Sequence, residues 1–147
     1  MELNPDFKEF LQSLNENDVR YLVVGGYAVA FHGHPRYTKD IDIWIDLDEQ
    51  NARKVVKALV DFGFSSLNLN PADFLEPDNV IQLGYPPRRI DLLIGLEGAD
   101  FDECYSKRLE EEMEGIRVCF VDRENLARLK RAAGRPQDLA DLDNLTR

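Results

Sequence analysis

Asp40-Ile41-Asp42-Ile43-Trp44-Ile45-Asp46 alternates without a break, and its reading decides the fold of the chain. Successive side chains of an extended strand leave opposite faces, so Ile41, Ile43 and Ile45 share one face and Asp40, Asp42, Trp44 and Asp46 the other. The aliphatic face predicts a core beneath it. On the opposite face Asp40 and Asp42 stand about 6 to 7 Å apart along the strand, so their carboxylates enter one space. Facing carboxylates raise each other's pKa, and a divalent cation relieves that repulsion. Hard oxygen donors with positions left for water and phosphate suit Mg²⁺, and two such ions about 4 Å apart can clamp an in-line phosphoryl displacement. The alternative for an Asp-x-Asp pair is a solvated strand face beside a loop.

A second strand carries a third acid. In Arg88-Arg89-Ile90-Asp91-Leu92-Leu93-Ile94, the residues Ile90, Leu92 and Ile94 define a core face, which places Asp91 on the opposite one. If this strand neighbours residues 41–46, Asp91 joins Asp40 and Asp42 and becomes the general base for an attacking hydroxyl. Otherwise Asp91 serves as an ion-pair partner of Arg88 or Arg89. Upstream, the apolar residues 19–24 run into Gly25-Gly26 and then a helix-compatible stretch from Tyr27 to residue 31. A strand, a glycine turn and a helix let the backbone approach a phosphate closely, although such turns also use glycine for steric reasons alone.

The remaining elements follow from periodicity. Phe7, Phe10, Leu11 and Leu14 predict a first helix ending near residues 15–17. Asp48 caps a helix carrying Val55, Val56, Leu59 and Val60, which Gly63 ends. Residues 64–69, 79–83 and 89–94 read as strands, the last two joined through Gly84-Tyr85-Pro86-Pro87 and therefore antiparallel. A helical stretch spans about residues 101–109, and Gly115 precedes a strand over 116–121. Asp122 caps a helix with Leu126, Leu129 and Ala133 inward, Gly134 stops it, and Pro136 opens a last helix. The fold class is α/β (α+β), a mixed β-sheet flanked by helices, with no internal repeat or low-complexity linker.

Composition bounds the function. A chain of 147 residues with 44% hydrophobic and 31% charged residues is too apolar for disorder. Eighteen Lys and Arg against 28 Asp and Glu give a net charge of -10, which repels phosphate polyanions at long range. A phosphate ligand therefore needs a local site or a metal. The apolar runs at residues 21–24 and 116–121 fall far short of the roughly 20 residues that cross a bilayer. The amino terminus resembles no signal peptide, so a cytoplasmic protein is expected. Cys104 and Cys119 lack metal or redox spacing and read as reduced, partly buried thiols.

Several other residues carry two readings. Lys130 lies at the edge of a buried stripe, where it reaches a cleft or snorkels to the surface. Asp138 and Asp141 either orient Lys130 or Arg135, or serve as acids in a first helical turn; the second reading is preferred for Asp141. His32 and His34, two apart at a helix end, do not face one another as ligands. Arg36 brings positive charge to a developing phosphorane or pairs with an acid of the cluster. Tyr27 and Tyr37 stack a base or, more readily, pack at the core or rim.

In order along the chain, Gly25-Gly26-Tyr27-Ala28, His32-Gly33, Arg36-Tyr37-Thr38-Lys39-Asp40-Ile41-Asp42 and the later Asp91 resemble the nucleotidyltransferase superfamily with the polymerase β-type fold. The Arg-x-Thr-x-Asp-x-Asp string is most similar to AbiEii-type toxin nucleotidyltransferases and their uncharacterised relatives. The tail, with Lys130, Arg135, Asp138 and Asp141, is similar to that group's Lys…Arg-x-x-Asp-x-x-Asp pattern. The resemblance implies one nucleotidyltransferase-like domain over residues 1–147. It implies Mg²⁺-dependent transfer of NMP from an NTP to a hydroxyl with release of pyrophosphate, using two ions, with Mn²⁺ as a substitute. Asp40, Asp42 and Asp91 would be catalytic and hold the metal, and Gly25, Gly26, Arg36, Thr38 and Lys130 would bind the nucleotide. A toxin–antitoxin role, with a cognate antitoxin or toxin as protein partner, is also implied. Many members carry Gly-Ser at the turn, whereas Gly26 offers only backbone. The other reading is a catalytically silent nucleotide-binding or antitoxin-like regulatory module of the same fold. For an acceptor, the net charge favours a small molecule, a protein hydroxyl or a tRNA end over a long RNA groove.

Overall fold

In the computed structural model, which describes residues 3–34, 38–64, 67–85 and 88–146, two apolar stretches become strands β1 (Tyr21–Val24) and β2 (Ile41–Ile45) and pair antiparallel. Strand β3 (Asn79–Tyr85) turns back antiparallel onto β4 (Arg88–Ile94), and β4 lies parallel to β2. On the other side, the hairpin of β5 (Leu109–Met113) and β6 (Ile116–Phe120) joins the sheet through a parallel contact of β6 with β1. The described strands form one mixed sheet in the order β3-β4-β2-β1-β6-β5. Period-two alternation has the expected result: Ile41, Ile43 and Ile45 are all buried at 1% exposure or less.

Among the described residues, six helices flank the sheet: α1 (Pro5–Glu16), α2 (Gly25–Phe31), α3 (Glu49–Phe62), α4 (Phe101–Ser106), α5 (Arg123–Ala133) and α6 (Pro136–Thr146). The apolar stripe of α1 packs on α3, with Phe10 edge-on to Phe62 and the Ser13 hydroxyl donating to the Ala58 carbonyl at 2.8 Å. Asp48 caps α3 through the Asn51 amide, and Gly63, at φ 108°, ends it in the left-handed region. Trp44, on the acidic face of β2, is buried edge-on against Phe101 of α4 at 5.0 Å. Cys104 and Cys119 are buried free thiols. Among the described residues, no helix is long and apolar enough to cross a membrane.

Two expectations fail for local reasons. No strand forms at Phe64 or residues 67–69. Phe64 instead turns toward Phe62, Asn68 takes φ 52°, which breaks an extended backbone, and a 3-10 turn at Pro71–Phe74 buries Phe74 completely. The helix expected over residues 101–109 stops at Ser106, and the chain enters β5. Glu114 and Gly115, at φ 51° and 87°, close a two-residue hairpin with left-handed backbone at both positions, and this turn pairs Met113 with Ile116.

Candidate active site

Parallel pairing of β2 with β4 sets Ile41 beside Ile90, Asp42 beside Asp91 and Ile43 beside Leu92. Neighbouring residues in register share a face, so the two acids stand together where the aliphatic residues turn away from them. Antiparallel pairing with β1 brings Val24, and therefore the start of the glycine turn, to Asp42. Gly25 adopts φ 69°, and a Cβ there would overlap the Asp42 carboxylate. The left-handed backbone and the close approach both demand glycine. Gly25→Ala is expected to cost about 1–3 kcal/mol through backbone strain, plus displacement of Asp42; a thermal melt with and without Mg²⁺ checks both effects.

Gly25, Gly26, Asp42, Asp91, Arg89 and Lys130 line one cavity of about 680 Å³, whose far walls come from β3, the chain after β4, and the junction of α5 with α6. Asp40 is not part of that lining. Its Oδ1 accepts from the Arg89 backbone amide at 3.0 Å, and its Oδ2 lies 3.4 Å from Arg89 Nη2. The same guanidinium donates to Asp91 from Nε at 2.8 Å and from Nη2 at 3.2 Å. Arg89 thus clasps the two outer acids. The expected meeting of all three carboxylates is met by Asp42 and Asp91, whereas Asp40 is turned to the rim by this arginine. Asp91 faces the cavity and also pairs with Arg89, the ion-pair partner that the sequence offered for it. Among the described residues, no group of three or more His, Cys, Asp or Glu converges on one point as a metal site.

Asp42 has no such clasp, and among the described residues no side chain donates a hydrogen bond to it. Burial and then the neighbouring Asp91 charge push its pKa up to about 6, against a partial pull downward from Lys130. Arg89 is held more strongly protonated than usual by its hydrogen bond to Asp91.

Lys130 is buried at 7% exposure, with Nζ 3.2 Å from Asp138 Oδ1 and 3.0 Å from Asp141 Oδ2. Arg135 closes on Asp138 from Nε at 2.6 Å, and Gln137 donates to Asp141 at 3.0 Å. Burial alone would raise the Asp138 pKa, but hydrogen bonds from Arg135 and Lys130 outweigh it and hold the carboxyl below its ordinary range. The reading of Asp141 as a solvated first-turn acid is overturned, because it is 1% exposed and neutralised by Lys130 across two helices. Lys130 is accordingly no surface snorkel; it borders the cavity with its charge shared between these two acids.

The other candidates separate. Thr38 donates from its hydroxyl to the Asp40 carbonyl at 3.1 Å and supports the loop entering β2 without lining the cavity. Arg36 and Tyr37 lie outside the described residues. Tyr27 is buried edge-on against Phe7. His32 is bonded to the Val121 carbonyl and His34 lies 3.3 Å from Arg123, so they form no ligand pair. Lys130 and Arg135, both offered by the sequence as partners of Asp138, bond to it together, whereas the uncharged wall formed by Val80, Gln82, Leu93 and Leu96 was missed by sequence reasoning. The only signal for that wall was the alternation of β3 and β4, which says which face a residue takes but not that a helix junction stands opposite.

A family model described as "Nucleotidyltransferase of unknown function (DUF6036)" matches residues 2–146. Among solved structures, the chain is similar to TM1012 of Thermotoga maritima at 16% identity and TM-score 0.62 over 95% of this chain and 89% of that one. It is similar to an antigenic nucleotidyltransferase-like protein from Paracoccidioides brasiliensis at 15% identity and TM-score 0.54, covering 95% and 74%. The lincosamide antibiotic adenylyltransferase LnuA, solved with lincomycin bound, matches at 16% identity and TM-score 0.56, covering 99% and 97%. No curated protein matches the sequence. At these identities the structural likeness concerns the fold, a mixed six-stranded sheet with flanking helices of nucleotidyltransferase type.

Proposed function

Because the chain belongs to the DUF6036 family of nucleotidyltransferases of unknown function, we propose that its cavity transfers NMP from an NTP to a hydroxyl acceptor with Mg²⁺ or Mn²⁺. The observation that carries this reading is the pairing of Asp42 with Asp91 beside Gly25 on the cavity wall. The donor set fits a hard dication: carboxylate oxygens only, with Asp42 pushed up to about 6 by burial and then by the charge of Asp91. Asp42 and Asp91 would hold it, and Asp40 would join them once Arg89 lets go. A dication bound there supplies Lewis-acid polarisation of the phosphoryl oxygens.

The chain's own residues do the rest. The acceptor oxygen bonds to the α-phosphorus, the bond from that phosphorus to the α,β-bridging oxygen breaks, and pyrophosphate leaves with the electron pair. The hydroxyl proton passes to Asp91, which must first shed Arg89. The Gly25 and Gly26 backbone and the Lys130 charge would hold the triphosphate, with Arg36 as a further cation, while Thr38 would keep Asp40 in place. NTP together with Mg²⁺ should raise the melting temperature of the protein, and Asp42→Asn should remove that rise. A rise that survives in the variant would contradict the assignment. A toxin-type role is supported by the Arg-x-Thr-x-Asp-x-Asp string and by the tail pattern of Lys130, Arg135, Asp138 and Asp141, and would add a cognate protein partner.

One observation favours the silent module. Arg89 already supplies positive charge between Asp40 and Asp91. If the clasp is permanent, Arg89→Gln lowers the melting temperature and Mg²⁺ restores nothing. If it is a placeholder for a dication, the same variant loses stability without metal and shows a larger rise with Mg²⁺ than the parent. Differential scanning of both proteins, with and without Mg²⁺, separates the two readings.

A further inference from the structure

We infer that the part of the cavity lying beyond Asp91 from the glycine turn is the acceptor subsite, and that it takes a small hydroxyl compound without negative charge rather than the end of a nucleic acid. The inference rests on the transfer reading above and names its acceptor class.

Strand order lays out the cavity wall. Val24, which leads into the glycine turn, is in register with Asp42, Asp42 with Asp91, and Asp91 with Gln82 of β3. Glycine turn, acid pair and β3 therefore follow one another across the sheet. In an in-line displacement the entering and leaving oxygens take opposite sides of the phosphorus. With pyrophosphate held on the glycine side, the acceptor oxygen enters from the β3 side, past Asp91.

That side has a definite chemistry. It is lined by Val80, Gln82, Leu93, Leu96 and Glu97, and Val80 is 48% exposed, a large apolar side chain left open. The cations among the described lining residues are Arg89, Lys130 and Arg135, and each is already paired with a carboxylate of the chain. None of them belongs to the β3 wall, and no aromatic ring is among the described lining residues. Nucleic-acid ends are gripped through Lys and Arg on phosphates and through bases stacked on aromatic rings. On the β3 side the described lining offers neither, and a net charge of -10 repels a polyanion before it arrives. An aliphatic wall with one amide and one carboxylate suits a compound with an apolar body, neutral or bearing an amine toward Glu97.

The test incubates the full chain with Mg²⁺, α-phosphate-labelled NTPs and a cell extract divided into a small-molecule filtrate, total RNA and protein. The expected result is label in a filtrate product that resists nuclease and protease. Nuclease-sensitive label from the RNA fraction, label on protein, or no labelled filtrate product overturns the inference. Mg²⁺-dependent NTP binding, measured on the same preparation, tells these failures apart: if it persists, only the acceptor subsite is wrong, and if it is absent the transfer reading has failed too. Val80→Trp, at a half-exposed edge position, should fill the subsite and cut filtrate labelling about tenfold or more while NTP affinity stays unchanged. Undiminished labelling, or an equal loss of NTP affinity, overturns it.

Discussion

Asp42→Asn is expected to make the metal-free protein more stable and, at the same time, deaf to Mg²⁺. Asp42 is driven from an ordinary 3.8 to about 6, first by burial and then by the charge of Asp91. A folded-state pKa above the unfolded one gives stability that is complete below about pH 4 and disappears as the pH rises through about 6. At neutral pH the ionised, buried carboxylate costs up to about 3 kcal/mol, which the amide does not incur. The melting temperature of the variant should therefore exceed that of the parent by several degrees at neutral pH, and the difference should vanish near pH 4. Mg²⁺ should stabilise the parent most above pH 6, where Asp42 is charged, and leave the variant unmoved. Transfer should fall by about a thousandfold, as expected when charge stabilisation at a reacting phosphoryl group is lost. A variant with unchanged melting behaviour across pH would show that Asp42 is not the strained group.

Lys130→Ala should be the most destabilising single change in the carboxyl-terminal helices. Among the residues of α6, only Asp138, Asp141 and Leu145 are buried, so the helix is docked by one leucine, by the charge of Lys130 and by Arg123 Nε, which donates to the Leu145 carbonyl at 2.8 Å. Removing one member of a buried ion cluster leaves charges uncompensated, at about 3–5 kcal/mol. For a chain of this size that lowers the melting temperature by about 10 °C or more. Asp138 keeps Arg135 as a partner, and Asp141 keeps the Gln137 amide. Limited proteolysis should then cut near Gly134, where the chain turns with φ 67° between α5 and α6. Lys130→Met combined with Asp138→Asn and Asp141→Asn should recover most of the lost stability, because the buried charges leave together. A melting temperature of Lys130→Ala equal to that of the parent would mean that α6 is held by other contacts.

How much of this was legible follows from what periodicity can encode. The alternation at residues 40–46 and 90–94 specified two strands and the faces of Asp42 and Asp91, because a half-buried strand leaves that pattern. Their adjacency was a conditional expectation, and the β2–β4 register supplies the missing condition. The Gly25 position was readable as a turn but not as the seat of a carboxylate, since contact with Asp42 arises only when β1 and β2 pair. The β5 strand was hidden because Leu109-Glu110-Glu111-Glu112-Met113 is an edge strand with acids on both faces, a composition that discourages edge pairing and erases the apolar signal. Phe64 and residues 67–69 carried that signal without the strand. Lys130 and Asp138 carried two readings, and Asp141 read as a first-turn acid, because charged side chains usually face water. Only the packing of α6 on α5 makes them satisfy each other out of water.

The central claim is that Asp42 and Asp91 together hold a dication that the nucleotide shares. Titrating Mn²⁺ into the protein with a non-hydrolysable NTP, and following free Mn²⁺ by electron paramagnetic resonance, tests it most directly. The parent should deplete the free-ion signal beyond what the NTP alone removes, and Asp42→Asn and Asp91→Asn should each abolish the extra depletion while the fold persists. Equal depletion by the parent and either variant, or none by the parent, would contradict the account.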